Sequence, residues 1–135
     1  MNKPRVFFAS AAMTAALTLA CTSAVVADEP ETIADGAFTE EQVNNGQALY
    51  EEHCSSCHNM GFYEDSLGNR VNQPVSFMFE EVLGTMPLNA PGFLPIETYE
   101  DIFAYIFSGL GFPAGDTELR YDSGMMDQVR LVQPD

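Results

Sequence analysis

The chain has 135 residues, of which 46% are hydrophobic, and its 20 acidic residues against 5 basic ones give a formal net charge of −15. This length has room for one domain and a leader segment. So negative a chain repels nucleic acid and anionic lipid, which excludes a nucleic-acid-binding function, and it favours a protein partner with a basic docking patch. High solubility is the alternative explanation of the charge.

Residues 1–27 are predicted to form a cleaved signal peptide that exports the protein to the periplasm. Lys3 and Arg5 give it a positive start, an apolar stretch follows over residues 6–20, and small residues precede the acidic Asp28. The apolar stretch is shorter than the roughly 20 residues that a membrane span needs. We therefore expect no transmembrane segment in the mature chain. Lipidation of Cys21, which would tether the protein to a membrane, is the second interpretation of the leader.

The segment 28–38 has mixed polarity and no regular period, so we expect it to be flexible. Thr39 and Gln42 then have the spacing of a capping box, in which each side chain bonds a free amide at the start of a helix. This spacing predicts a first helix over residues 40–52. Residues 59–74 are rich in glycine, asparagine and other polar residues and are predicted to be a loop.

In the second half of the chain, Ser76 is predicted to cap a short helix that ends at Leu83. Three prolines and a glycine make residues 85–95 an irregular loop. The strongest helix signal covers residues 96–108, where apolar residues share one stripe and acidic residues crowd the start. The polar, glycine-rich residues 111–135 are predicted to be a tail. Since no alternating strand pattern occurs, the predicted fold class is all-α with three to five helices.

Between the first helix and the predicted loop lies the run Cys54-Ser55-Ser56-Cys57-His58, which has the C-x-x-C-H pattern of covalent haem attachment. Two thiols three residues apart can each form a thioether with one haem vinyl group, and the histidine that follows projects under the ring as an iron ligand. A zinc site, a dithiol redox motif and a structural disulfide are the alternatives. We predict one covalently bound haem c, held by Cys54 and Cys57 and ligated by His58.

The sixth iron ligand has to come from the opposite face of the ring, and Met86 is the predicted donor. It lies in the irregular loop, where Pro87 favours an extended backbone that can turn the sulfur inward. The Pro74 carbonyl is a candidate to hold the His58 ring, and Arg70 is either a partner for a haem propionate or a solvated side chain. The other candidate ligands lie beside the attachment motif, in a predicted helix or in the tail: His53, Met60, Met78, Met125 and Met126.

Three stretches carry a family resemblance: residues 46–50 leading into the motif at 54–58, the loop Thr85-Met86-Pro87, and residues 99–106 followed by 111–115 and 118–119. Together they resemble the small class I cytochromes c, and more narrowly those that accompany quinone-dependent alcohol and sugar dehydrogenases of bacteria. The resemblance implies a cytochrome c domain over residues 39–119 and a C-terminal tail over 120–135. It also implies that the first and last helices cross closely where Gly46 faces Tyr105. Asn59 and the residues from 60 to 74 depart from the family pattern.

The function that the resemblance implies is a periplasmic electron carrier rather than an enzyme. It would pass single electrons from a dehydrogenase or quinol-oxidising complex to a terminal acceptor, and its acidic surface would steer it to basic patches on those redox partners. An open-site haem enzyme or gas sensor is the alternative if Met86 is not an iron ligand. A fixed electron-transfer subunit of a dehydrogenase complex is another.

Overall fold

The computed structural model describes residues 29–134, in which five α-helices and one short 3-10 helix occur and no extended β-strand is formed. The predicted all-α fold class is therefore confirmed. The predicted signal peptide, with Cys21, lies outside the described residues. In chain order the 3-10 helix (Ile33–Asp35) is followed by α1 (Glu40–His53), α2 (Met60–Gly68), α3 (Val75–Thr85), α4 (Ile96–Gly109) and α5 (Met125–Gln128).

None of the helices between residues 29 and 134 combines the length and the apolar character that a membrane crossing requires.

The first helix, α1, begins where the capping box predicts it. The Thr39 hydroxyl accepts the Gln42 N–H at 3.3 Å, and the Gln42 side-chain oxygen accepts the Thr39 N–H at 3.3 Å. Glu40 and Glu41 in the first turn complement the positive end of the helix dipole. The helix continues to His53, so it delivers the chain directly to the cysteine motif.

The central helix pair, α1 and α4, crosses at Gly46. A Cβ atom there would collide with the backbone carbonyl of Asp101 and would lie 2.9 Å from the Cβ of Tyr105. Only a glycine lets two helix backbones approach so closely. Beside the crossing, the rings of Tyr50 and Tyr105 pack with their centroids 5.2 Å apart. The close approach of the first helix to Tyr105, predicted from the family resemblance, is thus present.

The prediction of a loop over residues 59–74 is wrong in its first half, because α2 occupies Met60–Gly68. The Asn59 side chain caps this helix by accepting the Phe62 N–H at 3.0 Å. Buried Tyr63 and Leu67, four residues apart, fix its inner face against the core. The helix has only nine residues and two of them are glycines, which lower helix propensity. Its formation therefore depends on the cap and on tertiary packing.

The third helix, α3, begins one residue before the predicted cap. Pro74 occupies the cap position, Val75 is the first helical residue, and Ser76 lies inside the first turn. The Ser76 hydroxyl is buried without a hydrogen-bond partner among the described residues. The helix ends at Thr85, so the predicted irregular loop covers residues 86–95.

A single hydrophobic core lies around α4 and includes both ends of the described chain. Its largest fully buried apolar side chains are Ile33, Phe38, Leu67, Val75, Phe79, Phe103, Phe107, Leu119, Met126, Val129 and Leu131. The expectation of a flexible segment over residues 28–38 therefore differs from the structure. Phe38 is fully buried, and its carbonyl accepts the Gly115 N–H at 2.7 Å.

The C-terminal residues 117–134 are also packed against the domain, in contrast to the predicted tail. The Gln42 side chain exchanges two hydrogen bonds with the backbone of Leu119, at 3.0 and 2.8 Å. Buried Glu100 accepts the Tyr121 N–H at 2.7 Å and an Arg120 guanidinium N–H at 3.0 Å. Local composition does not reveal these anchors, because each joins residues 20 or more positions apart.

We call residues 129–131 the closing segment. The Ile33 N–H donates to the Arg130 carbonyl at 3.1 Å, and the Arg130 N–H donates to the Glu31 carbonyl at 2.8 Å. On the other side, the Val75 N–H donates to the Val129 carbonyl at 3.0 Å. The closing segment thus joins the start of the domain to the start of α3.

Candidate cofactor-binding site

One cavity of about 770 Å³ lies between the end of α1, α2, α3, the loop after α3, and α4. This volume is within the range of roughly 300–1,000 Å³ that is typical of small-molecule and cofactor sites. All four predicted site residues of the described chain line it: Cys54, Cys57, His58 and Met86. The fold therefore brings together the two parts of the sequence that were assigned to one site.

The cysteine motif forms a tight turn directly after α1. Cys54 is the C-cap of the helix, and its N–H donates to the Tyr50 carbonyl at 2.9 Å. The Cys54 carbonyl in turn accepts the N–H groups of Cys57 and His58, both at 3.1 Å. Both thiols are free, with Cys57 exposed and Cys54 half-buried. Burial raises the pKa of the Cys54 thiol, so this sulfur is protonated at neutral pH.

His58 is held by the aromatic side chains of α1 and α2. Its ring packs on that of Phe62 with centroids 4.3 Å apart and on that of Tyr63 at 5.7 Å. Its carbonyl accepts the Tyr50 hydroxyl at 2.7 Å. The structure does not place Pro74 beside His58: Pro74 is not among the lining residues, and its carbonyl accepts the Phe77 N–H at the start of α3.

Met86 reaches the cavity from the other side. It is the C-cap of α3, with the extended backbone that was predicted from Pro87 (φ −124°, ψ 151°), and its N–H donates to the Val82 carbonyl at 2.8 Å. The hydroxyl of Tyr99, on α4, donates to the Met86 carbonyl at 2.7 Å. The backbone of Met86 is therefore bound to two different helices.

A second methionine, Met78, also lines the cavity, and its side chain is buried at 4% exposure. It lies in the helix that the sequence predicts, and the structure places it both in the core and at the cavity wall. Met60 lies against Gly109 instead, with its sulfur 3.0 Å from where a Cβ atom of that glycine would be. Met126 is fully buried in α5 and does not line the cavity.

The walls of the cavity are mainly apolar, and one charged pair stands among its lining residues. The apolar residues come from α3, α4 and the preceding loop: Met78, Val82, Leu94, Tyr99, Ile102, Phe103 and Ile106. Arg70, which precedes α3, bonds Glu81 of α3 at 2.7 Å, and its side chain is only 25% exposed. Its guanidinium brings a cation to a chain that has few of them.

The residues of this cavity fit a covalently bound haem. Two thiols, an imidazole and a thioether face the same space, and these are the groups that attach a c-type haem and ligate its iron. The apolar walls suit a flat hydrophobic ring, and Arg70 offers a partner for a carboxylate. His53, which directly precedes Cys54 in the chain, also lines the cavity.

Sequence reasoning missed three contributors to this site. Tyr99 was part of the predicted helix stripe, yet its hydroxyl bonds a carbonyl 13 residues earlier. Phe62 belongs to the helix that was taken as a loop, and Glu81 is the unpredicted partner of Arg70. Only the Tyr99 position carried a sequence signal, namely a tyrosine with a polar group on an otherwise apolar stripe.

Comparisons with protein-family models, with curated proteins and with solved structures found no match to this chain.

Proposed function

We propose that this protein is a monohaem c-type cytochrome of the periplasm that carries single electrons between redox proteins. The observation that carries the proposal is the convergence of Cys54, Cys57, His58 and Met86 on one cavity with apolar walls. Three of these residues follow α1 and the fourth follows α3, so their meeting is a property of the fold. A cavity of this size and composition gives the cysteine motif a place to hold its cofactor.

Each of these residues has a distinct task in the proposed function. When bound, haem supplies a one-electron iron couple. Cys54 and Cys57 would hold the haem as thioethers, and His58 and Met86 would bind its iron, which would leave no iron site for a substrate and would raise the reduction potential. The apolar walls would lower the local dielectric around the bound group, which strengthens its electrostatic interactions with nearby groups.

The surface around the cavity mouth supports contact with a protein partner. Phe62 and Leu88 line the cavity and are 50% and 81% exposed, and Phe93 on the same loop is 78% exposed. Exposed apolar side chains in one region are typical of interaction sites. Residues 28–135 carry 20 acidic residues against three arginines, a net −17, so the proposed partner presents a basic patch around an apolar contact.

The first test is to produce the full chain in a periplasm that attaches c-type haem and to measure its haem content after denaturation. We expect one haem per chain that stays with the polypeptide, and none in the double variant Cys54→Ala/Cys57→Ala. Ser55→Ala, within the same motif, is the matched control and should retain haem. A wild-type protein that acquires no covalent haem while both thiols are intact would refute the proposal.

The second test separates an electron carrier from the open-site alternative. Carbon monoxide binds reduced haem iron only where an axial position is free. We expect the reduced wild type and Met78→Ala to bind no carbon monoxide at neutral pH and Met86→Ala to bind it readily. If the wild type binds it as readily as Met86→Ala, Met86 is not the ligand and an enzyme or gas sensor becomes the better explanation.

A further inference from the structure

We propose that Tyr99 is a positioning residue for Met86, and that its hydroxyl determines how firmly the sixth iron position is closed. The inference rests on the proposed function, because it concerns the same cavity and the same ligand. It assigns a role to a side chain that touches the backbone of Met86 rather than its sulfur.

The hydroxyl of Tyr99 is placed with little freedom to move. Tyr99 is 3% exposed, and its ring packs edge-on against Phe79 with the centroids 6.3 Å apart. It belongs to α4, which crosses α1 at Gly46. A Cβ atom at Gly46 would meet the backbone of α4, so the two helices approach each other closely there. An unpaired buried hydroxyl costs free energy, and this one has the Met86 carbonyl as its partner at 2.7 Å. The bond therefore extends from the closely packed pair α1 and α4 to the loop that carries the ligand.

The loop itself has few other attachments. The Met86 carbonyl accepts one more hydrogen bond, from the Gly92 N–H at 3.3 Å within the same loop, and Leu88 is 81% exposed. The Met86 N–H belongs to the last turn of α3, where helix ends fray most readily. Among the described hydrogen bonds of Met86, the one from Tyr99 is the only one that ties its loop to α4.

Loss of this hydroxyl should shift the equilibrium between a closed and an open sixth position. The net effect of one hydrogen bond corresponds to a population change of roughly 2- to 12-fold. Since the apparent affinity of a ligand scales with the fraction of the competent state, carbon monoxide affinity of the reduced protein should rise by about the same factor. The ring remains in Tyr99→Phe, so the cavity wall keeps its shape.

The experiment compares carbon monoxide binding and thermal unfolding in five haem-loaded proteins: wild type, Tyr99→Phe, Thr39→Ala, Tyr121→Phe and Met86→Ala. Thr39→Ala removes the cap of α1, which lies away from the cavity, and so lowers stability without touching the loop. We expect Tyr99→Phe to bind carbon monoxide roughly 2- to 12-fold more tightly than the wild type, and Thr39→Ala to match the wild type despite its lower unfolding temperature. Tyr121→Phe, which loses an exposed bond to Glu80 at 2.9 Å, should also match the wild type.

Each outcome separates this inference from the proposed function. If Met86→Ala opens the site and Tyr99→Phe behaves like the wild type, the positioning role is wrong and the electron carrier stands. If Thr39→Ala opens the site as much as Tyr99→Phe, the effect is general loosening and the inference also fails. If the wild type is already open, the proposed function fails first.

A second measurement needs no variant. In the reduced wild type, nuclear magnetic resonance should show a hydroxyl proton of Tyr99 that exchanges slowly with water and lies close to Met86. A rapidly exchanging hydroxyl would overturn the inference, even if Tyr99→Phe failed to fold.

Discussion

Replacement of Gly46 by alanine has two opposing effects on the free energy of unfolding. Alanine raises helix propensity, but its side chain disturbs the packing of α1 against α4, and the structure indicates which effect is larger. In an isolated helix, alanine is about 1 kcal/mol more favourable than glycine. At this crossing, however, the added Cβ atom meets the Asp101 carbonyl and lies 2.9 Å from the Tyr105 Cβ. Neither is the far end of a flexible side chain, so the helices have to separate. Overpacking of this kind costs about 1–3 kcal/mol, and we expect a net loss of up to about 2 kcal/mol in the free energy of unfolding.

The matched control for this prediction is Gly84→Ala on α3. A Cβ atom at Gly84 meets no other atom within 4 Å, so the substitution should stabilise the protein by about 0.4–1 kcal/mol. Urea unfolding of the wild type and both variants gives their free energies of unfolding. Equal slopes of free energy against urea concentration show that all three expose the same surface area on unfolding. The reasoning about the crossing is refuted if Gly46→Ala and Gly84→Ala raise the unfolding midpoint alike.

Three further predictions concern buried or half-buried polar groups. Ser76→Ala removes a buried hydroxyl that has no partner and should raise stability by about 1 kcal/mol in urea unfolding; a clear loss would show that the hydroxyl is satisfied in solution. Glu100→Gln should lower it by about 2 kcal/mol, because a buried carboxylate accepts hydrogen bonds from Arg120 and Tyr121. Burial raises the pKa of Asp101 above its ordinary 3.8, so the folded state holds this proton more tightly than the unfolded state. Its contribution to stability is thus lost as the pH rises through the raised pKa. Asp101→Asn should be more stable than the wild type at neutral pH and equal to it below pH 3.8, and parallel profiles of thermal unfolding against pH would contradict this cause.

The parts of the fold that the sequence predicts are those fixed by local chemistry. The reciprocal bonds of Thr39 and Gln42 lie within one helical turn, and the prediction of α1 from their spacing is confirmed. The extended backbone of Met86 follows from the proline after it. The cysteine motif needs only five consecutive residues to specify its turn, so its residues could be assigned before the cavity was known.

The parts that the sequence does not predict depend on contacts between distant residues. Leu119 is held by Gln42, 77 positions away, and nothing in the composition of the C-terminal residues indicates this bond. α2 forms because Asn59 caps it and because Tyr63 and Leu67 find the core, although its glycines disfavour a helix. The bond from Tyr99 to Met86 likewise requires the two elements to be packed before it can be recognised.

The closing segment has a consequence for the order in which the molecule is completed. A chain made or exported from its N-terminus presents Ile33 and the cysteine motif long before Arg130, the partner of Ile33, exists or arrives. Until then the start of α3, the helix that forms one wall of the cavity, lacks its bond to Val129. We therefore expect the docking of the closing segment to fix the position of α3, and so of the cavity wall that α3 forms, only after the cysteine motif has formed its turn.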